Sequence, residues 1–277
     1  MWDTIYRWAN NQVAAMLALA EQKHPDTFLR DCLTDPFLIS THWQPQLAVR
    51  MRDAYASDDR MPTADYDAAG FCIPPEKTTD GRYHLIVNKC GYLPRDYFTL
   101  LHELGHYLQH TDIDLWSALL AFDDKATAKE AEETACNLFA SKALMPDAAV
   151  ATCKGSEWKA DAAAKLYATT KASRPAVVRR IAPLLDHDGW LTLIGRHDEL
   201  KIRAYPNGTA EYDQTLDIEW QTLQRFRAEQ HSADAPLLEK TYANVSDKNS
   251  TQRYTSISVA ESTSSQEGSF WFILVQR

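Results

Sequence analysis

The sequence predicts an α+β protein: a mainly helical region with a small β-sheet, then a smaller α+β or β-rich C-terminal region. Three observations carry this. Apolar residues recur at helical spacing through most of the first 186 positions. Two short β-rich runs, 68–73 and 83–88, interrupt them around a turn region from Pro74-Pro75 to Gly81. From Asp188 the texture changes to short strand-like runs between polar loops.

In order, Trp2, Ile5, Tyr6, Ala9, Val13, Met16, Leu17 and Ala20 trace one face of an amphipathic helix. Residues 2–56 read mostly as helix, with a second periodic stretch from Gln46 to Tyr55, and Ala56 to Pro62 reads as a linker. Tyr83 to Asn88 is the candidate strand for holding an extended substrate by backbone pairing, against the ordinary role of a core strand. Leu100, Leu101, Leu104 and Leu108 give the stretch from Asp96 to His110 a core-facing side, and no proline breaks it. Lys129 to Pro146 is helical through Ala131, Ala135, Leu138, Phe139 and Leu144, and Pro146 ends it. Two further helices cover about 158–170 and 175–185, the second opened by Arg174-Pro175. Strands are expected at Trp190–Ile194, Leu200–Tyr205 and Thr209–Tyr212, with Asn207-Gly208 as a hairpin turn. A helix over Asp217–Gln230 and strands at Tyr254–Val259 and Ser269–Val275 complete the chain. These divide into a helical region over 1–56, a catalytic domain over 57–187, and an accessory domain over 188–277 to which a regulatory role is open.

Composition narrows the function. The 277 residues include 29 Lys+Arg and 38 Asp+Glu, a net charge of −9, and no long basic run. Direct nucleic-acid binding is therefore not expected. The cluster Arg174, Arg179 and Arg180 reads as a solvated helix face rather than a phosphate site. The apolar run from Val13 to Ala20 is too short to span a bilayer, and the start lacks the positive charge of a signal peptide, so no membrane role is expected. Five scattered cysteines without a C-x-x-C pair suit reduced thiols in a cytoplasmic protein. Cys136 reads as a small buried residue before a redox-sensitive thiol.

The chemistry lies in His102-Glu103-Leu104-Gly105-His106. Residues four apart share a helix face, so two imidazoles there can reach one metal ion, and Glu103 can face a water beside it. Gly105 costs about 1 kcal/mol against alanine inside a helix, so close packing or access to the metal must require it. A catalytic zinc needs a third protein ligand and an open position. His110 continues the series, but one helix cannot wrap three residues round one ion, because His102 and His110 are about 12 Å apart along the axis. It reads as a neighbour that packs or hydrogen-bonds. Asp112 and Asp114 suit a loop ligand or the next N-cap. Glu133 and Asn137 share a face of the later helix, as ligand and as hydrogen-bond support. Yet Glu130, Glu132 and Glu133 also read as the acidic start of a solvated helix. Spacing alone leaves this open.

The chain here resembles the ImmA/IrrE family of metallo-endopeptidases. The likeness rests on the strand Tyr83–Asn88, the run Phe98-Thr-Leu-Leu into His102–His106, and Glu133-x-x-Cys136-Asn137-Leu138-Phe139-Ala140 closing in Ala143-Leu144-Met145-Pro146. Cys136 and Ala143 stand where that family carries Ala and Leu. The resemblance covers roughly 60–185. It implies a zincin-like catalytic domain with Glu133 as third ligand, supported by Asn137. It also implies a protein substrate of the helix-turn-helix repressor class, in mobile-element induction or stress responses.

The expected activity is thus zinc-dependent endopeptidase: Zn2+ held by His102, His106 and Glu133, with Glu103 as general base. Tyr66, Tyr83 and Tyr107 are candidates for stabilising the oxyanion. The alternative is a non-enzymatic regulator with a structural metal, which a fourth ligand from His110, an aspartate or a cysteine would mark.

Overall fold

The N-terminal apolar stripe forms a 22-residue helix, α1 (Trp2–Lys23), in the computed structural model, which describes residues 2–39, 43, 47–53, 69–186, 188–232, 238–246, 252–264 and 268–277. Ile5, Ala9, Val13, Met16 and Ala20 are buried along it. After α2 (Phe28–Thr34) come strands β1 (Leu47–Asp53), β2 (Gly70–Ile73) and β3 (Tyr83–Lys89). Helices α3 (Leu93–Thr111), α4 (Ile113–Leu120) and α5 (Lys125–Leu144) follow. The stripe of α1 packs on α5 and α3.

The first sheet has the order β1-β3-β2, with β1 parallel and β2 antiparallel to β3. Leu85, Ile86 and Val87 of β3 are buried, and the strand packs on α3. Within the expected helical region 1–56, residues 47–53 are therefore corrected from helix to strand. Leu47, Val49 and Met51 alternate with Ala48, Arg50 and Arg52, so seven residues satisfy either period. Pairing along β3, Leu47 opposite Tyr83 through Asp53 opposite Lys89, decides for the strand. The expected linker from Ala56 to Pro62 lies outside the described residues.

The chain divides into two compact units. The first comprises 1–146 and 170–172, the second 147–169 and 173–277. The second unit contains α6 (Asp147–Lys154), α7 (Ala160–Thr169), α8 (Arg174–Ile181) and α9 (Asp217–Ser232). Its strands are β4 (Trp190–Ile194), β5 (Leu200–Ala204), β6 (Ala210–Glu211), β7 (Glu239–Ser246), β8 (Arg253–Ser264) and β9 (Gly268–Gln276). They form one antiparallel sheet in the order β6-β5-β4-β9-β8-β7.

Helices cover both faces of this sheet, so all five residues of β4 are buried and no alternation shows. On one face Ile218, Leu223 and Phe226 of α9 pack with Trp190, Ile257, Trp271 and Ile273. The other face takes α7 and α8; Ser258 Oγ accepts from the Ala160 backbone N–H at 2.8 Å. The division expected after residue 187 thus falls inside the second unit, because α7 and α8 bury their apolar sides on strands that follow them.

The arginine cluster is also corrected. Arg174 and Arg180 are buried rather than solvated. The Arg174 guanidinium lies 4.0 Å from the Tyr167 ring and 4.3 Å from the Phe270 ring, and its Nε donates to Ser262 Oγ. Arg180 pairs with Asp147. No helix among the described residues is long and apolar enough to cross a membrane.

Candidate metal centre

Helix α3 starts at Leu93 with Pro94 in its first turn, where a missing N–H costs nothing. Leu100, Leu101, Leu104 and Leu108 bury one side of it. The opposite side presents His102 and His106 with ring centroids 4.9 Å apart. Helix α5 is started by Asp124, whose carboxylate accepts from the backbone N–H groups of Ala126 and Thr127. Several residues buried along it are small, Ala131, Ala135, Cys136 and Ala140, and Cys136 meets α3 at Gly105. This lets α3 approach so closely that a methyl on Gly105 would lie 3.1 Å from Cys136 Sγ, 3.2 Å from its Cα and 3.2 Å from Met16 Cε. Close packing therefore explains Gly105. Gln109 ties the helices further, donating to the Glu132 carbonyl and to Cys136 Sγ, both at 3.4 Å.

Ligand atoms of three residues converge. His102 Nε2 and His106 Nε2 are 3.2 Å apart. Glu133 places Oε2 at 3.3 Å from His102 Nε2 and Oε1 at 3.7 Å from His106 Nε2. Ligand bonds of 2.0–2.2 Å in a tetrahedron make ligand–ligand edges of about 3.3–3.5 Å. The observed triangle fits that size, and two imidazoles with one carboxylate are a donor set suited to zinc.

The other ring nitrogens are occupied. His102 Nδ1 lies 3.1 Å from Asn137 Oδ1, and His106 Nδ1 lies 2.7 Å from Glu132 Oε1. Both partners accept, so each Nδ1 donates and each Nε2 keeps its lone pair for a cation. Glu132 also receives His110 Nε2 at 2.7 Å. His106, His110 and Glu132 form a second possible ligand group, but contacts of 2.7 Å are hydrogen-bond lengths, shorter than a tetrahedral edge. Burial opposes ionisation of Glu132, yet the two imidazoles outweigh it and bring its pKa down to about 2. The His102 ring, and then His106, holds Glu133 below the ordinary range, against partial burial.

Glu103 is 6% exposed. Burial pushes its carboxyl up, while His102 and His106 and the Cys72 backbone N–H pull it down. It lines a cleft of about 600 Å³ together with the metal triad, Phe98, Ala69 and residues 70–72 of strand β2. Strand β3, expected to hold the substrate, is corrected: it is the middle strand, paired on both sides. Among the described residues it is β2 whose outer edge is unpaired and lines the cleft.

The remaining candidates are accounted for. Asp112 caps α4, accepting from the backbone N–H groups of Asp114 and Leu115. Tyr83 and Tyr107 meet edge to face with centroids 5.1 Å apart, and neither lines the cleft. Tyr66 lies outside the described residues. Cys136 is fully buried, and burial pushes its thiol well up, which suits a packing role. Sequence reasoning missed Glu132 as the partner of two histidines. Its signal was the row His102, His106, His110 on one helix facing an antiparallel row, Asn137, Glu133 and Glu132, on the other.

Residues 59–182 match the IrrE N-terminal-like domain, Peptidase_M78. No curated protein matches the chain. A solved structure described as a Mycobacterium tuberculosis transcriptional regulator is similar at 13% identity and a TM-score of 0.49, over 99% of this chain and 91% of that one. The family is one of metallopeptidases, and both helices that meet at the triad fall within the matched segment. Residues 59–182 thus match the domain family that the motifs of this chain resemble.

Proposed function

We propose that the protein is a zinc-dependent endopeptidase in which His102, His106 and Glu133 hold the ion and Glu103 is the general base. The observation that carries this is the convergence of two Nε2 atoms 3.2 Å apart with the two oxygens of Glu133, at 3.3 and 3.7 Å from them, and a buried carboxylate beside them in an open cleft. When bound, zinc supplies Lewis acidity, making an attacking water more acidic and polarising the scissile carbonyl. Asn137 and Glu132 accept from the Nδ1 side, which turns each Nε2 toward the ion and fixes the ring planes. Glu103 takes the proton of the attacking water and later delivers it to the leaving amine. Its burial favours that exchange, because a carboxylate held away from bulk water is the stronger base. An extended peptide pairs with the open edge of β2, which brings its backbone past Glu103.

The substrate is a protein, and the helix-turn-helix repressor class is proposed from the family resemblance alone. The structural-metal alternative needed a fourth protein ligand. His110 is engaged by Glu132 and Asp112 caps a helix, which supports the catalytic reading over that one.

Glu103→Gln tests the proposal. The variant retains zinc at the wild-type stoichiometry and loses cleavage of repressors encoded beside the gene by about 10²–10⁴-fold. Wild-type cleavage by this variant overturns the base assignment. A strong chelator abolishes activity, and added zinc restores it.

A further inference from the structure

Strand β2 meets α3 at one place. A Cβ on Gly70 would lie 2.6 Å from Thr99 Cγ2 and 2.9 Å from both Cγ and Oε1 of Glu103. Side chains do not pack that closely. Nor does backbone conformation ask for glycine: Gly70 is in extended strand, opposite Val87, and is not among the positive-φ residues. Space alone requires it. Two residues on, the Cys72 backbone N–H bonds the Glu103 carboxylate. Glu103 has little room to retreat, since it is 6% exposed and Thr99, one turn earlier on the same helix, is buried too.

We infer that Gly70 is a positioning residue for Glu103. Strand β2 sets the carboxylate, leaving it room at Gly70 and anchoring it at the Cys72 N–H. The inference rests on the reading of Glu103 as general base. The strand that lines the cleft and the seat of the base are then the same four residues. A displacement of β2 moves the base without touching His102, His106 or Glu133, which all lie on α3 and α5.

Gly70→Ala in the zinc-loaded full chain is the test. Its zinc content by elemental analysis stays at the wild-type value, because no metal ligand moves. Its crystal structure shows the Glu103 carboxylate displaced from the Cys72 N–H. With fluorescein-labelled casein as probe, kcat falls about a hundredfold while KM changes little, as a misplacement near 1 Å predicts. Adding Thr99→Ser removes the 2.6 Å contact and leaves those to Glu103; this double variant recovers thermal stability but not kcat. Three results overturn the inference: an undisplaced Glu103 in the crystal structure, full recovery of kcat by Thr99→Ser, or loss of zinc in both variants. The crystallographic comparison decides even if casein is not cut. A Glu103→Gln protein that cleaves normally would sink the base assignment instead, leaving the displacement to be judged on its own.

Discussion

Glu132 accepts hydrogen bonds from two imidazoles of one helix, and only one of those, His106, belongs to the ligand triangle. Partners of this kind fix a ligand's tautomer and plane, and losing one commonly weakens metal binding about 10–100-fold. Glu132→Gln is expected to lower zinc affinity by that factor, read by competition with a chromophoric chelator. Glu130→Gln, at an exposed position one residue from the ligand pair's side, is expected to leave it unchanged. Glu133→Ala removes a ligand atom and is expected to lower zinc content directly. His102 and His106 were legible in the sequence because their relation is fixed inside one helix. Glu132 and Glu133 were not separable, because adjacent residues differ by about 100° round the axis, and only the rotation of α5 against α3 decides which faces which nitrogen. That rotation is a tertiary fact, fixed where Cys136 packs on Gly105.

Among elements, α3 and α5 were read from sequence because long periodic segments with clear stops leave little choice. Strand β1 was misread because seven residues can satisfy two periods, and its partner β3 lies thirty residues away. Strand β7 was missed because only Tyr242 in it is buried, and an exposed strand carries no alternation to read. The α3–α5 contact gives a prediction at this scale. Alanine at Gly105 gains about 1 kcal/mol of helix propensity. Against this, its methyl meets Cys136 Cα, a backbone atom, at 3.2 Å, and overpacking a core costs about 1–3 kcal/mol. The net expectation is a lower melting temperature for Gly105→Ala by a few degrees, by calorimetry; a higher one would mean that the helices part more easily than their small residues suggest.

At the scale of the molecule, the α+β class and the change of texture at residue 188 were legible, but the grouping of helices was not. Periodicity shows that α7 and α8 have apolar sides; it does not say which element covers them. Because the strands after residue 188 do so, a fragment ending at 187 exposes Ala162, Ala163, Leu166, Val177, Val178 and Ile181. It is expected to aggregate or to bind a hydrophobic dye, by size exclusion and fluorescence. A regulatory role for the C-terminal region is therefore better sought with surface substitutions than with that deletion. Helix α1 raises a different matter, during synthesis. Its stripe finds its main cover when α5 exists, some 120 residues later in the chain. At about 5–20 residues per second, a ribosome leaves that stripe bare for roughly 6–25 seconds, long enough to make the helix a client for holdase chaperones before its partner helix has been made.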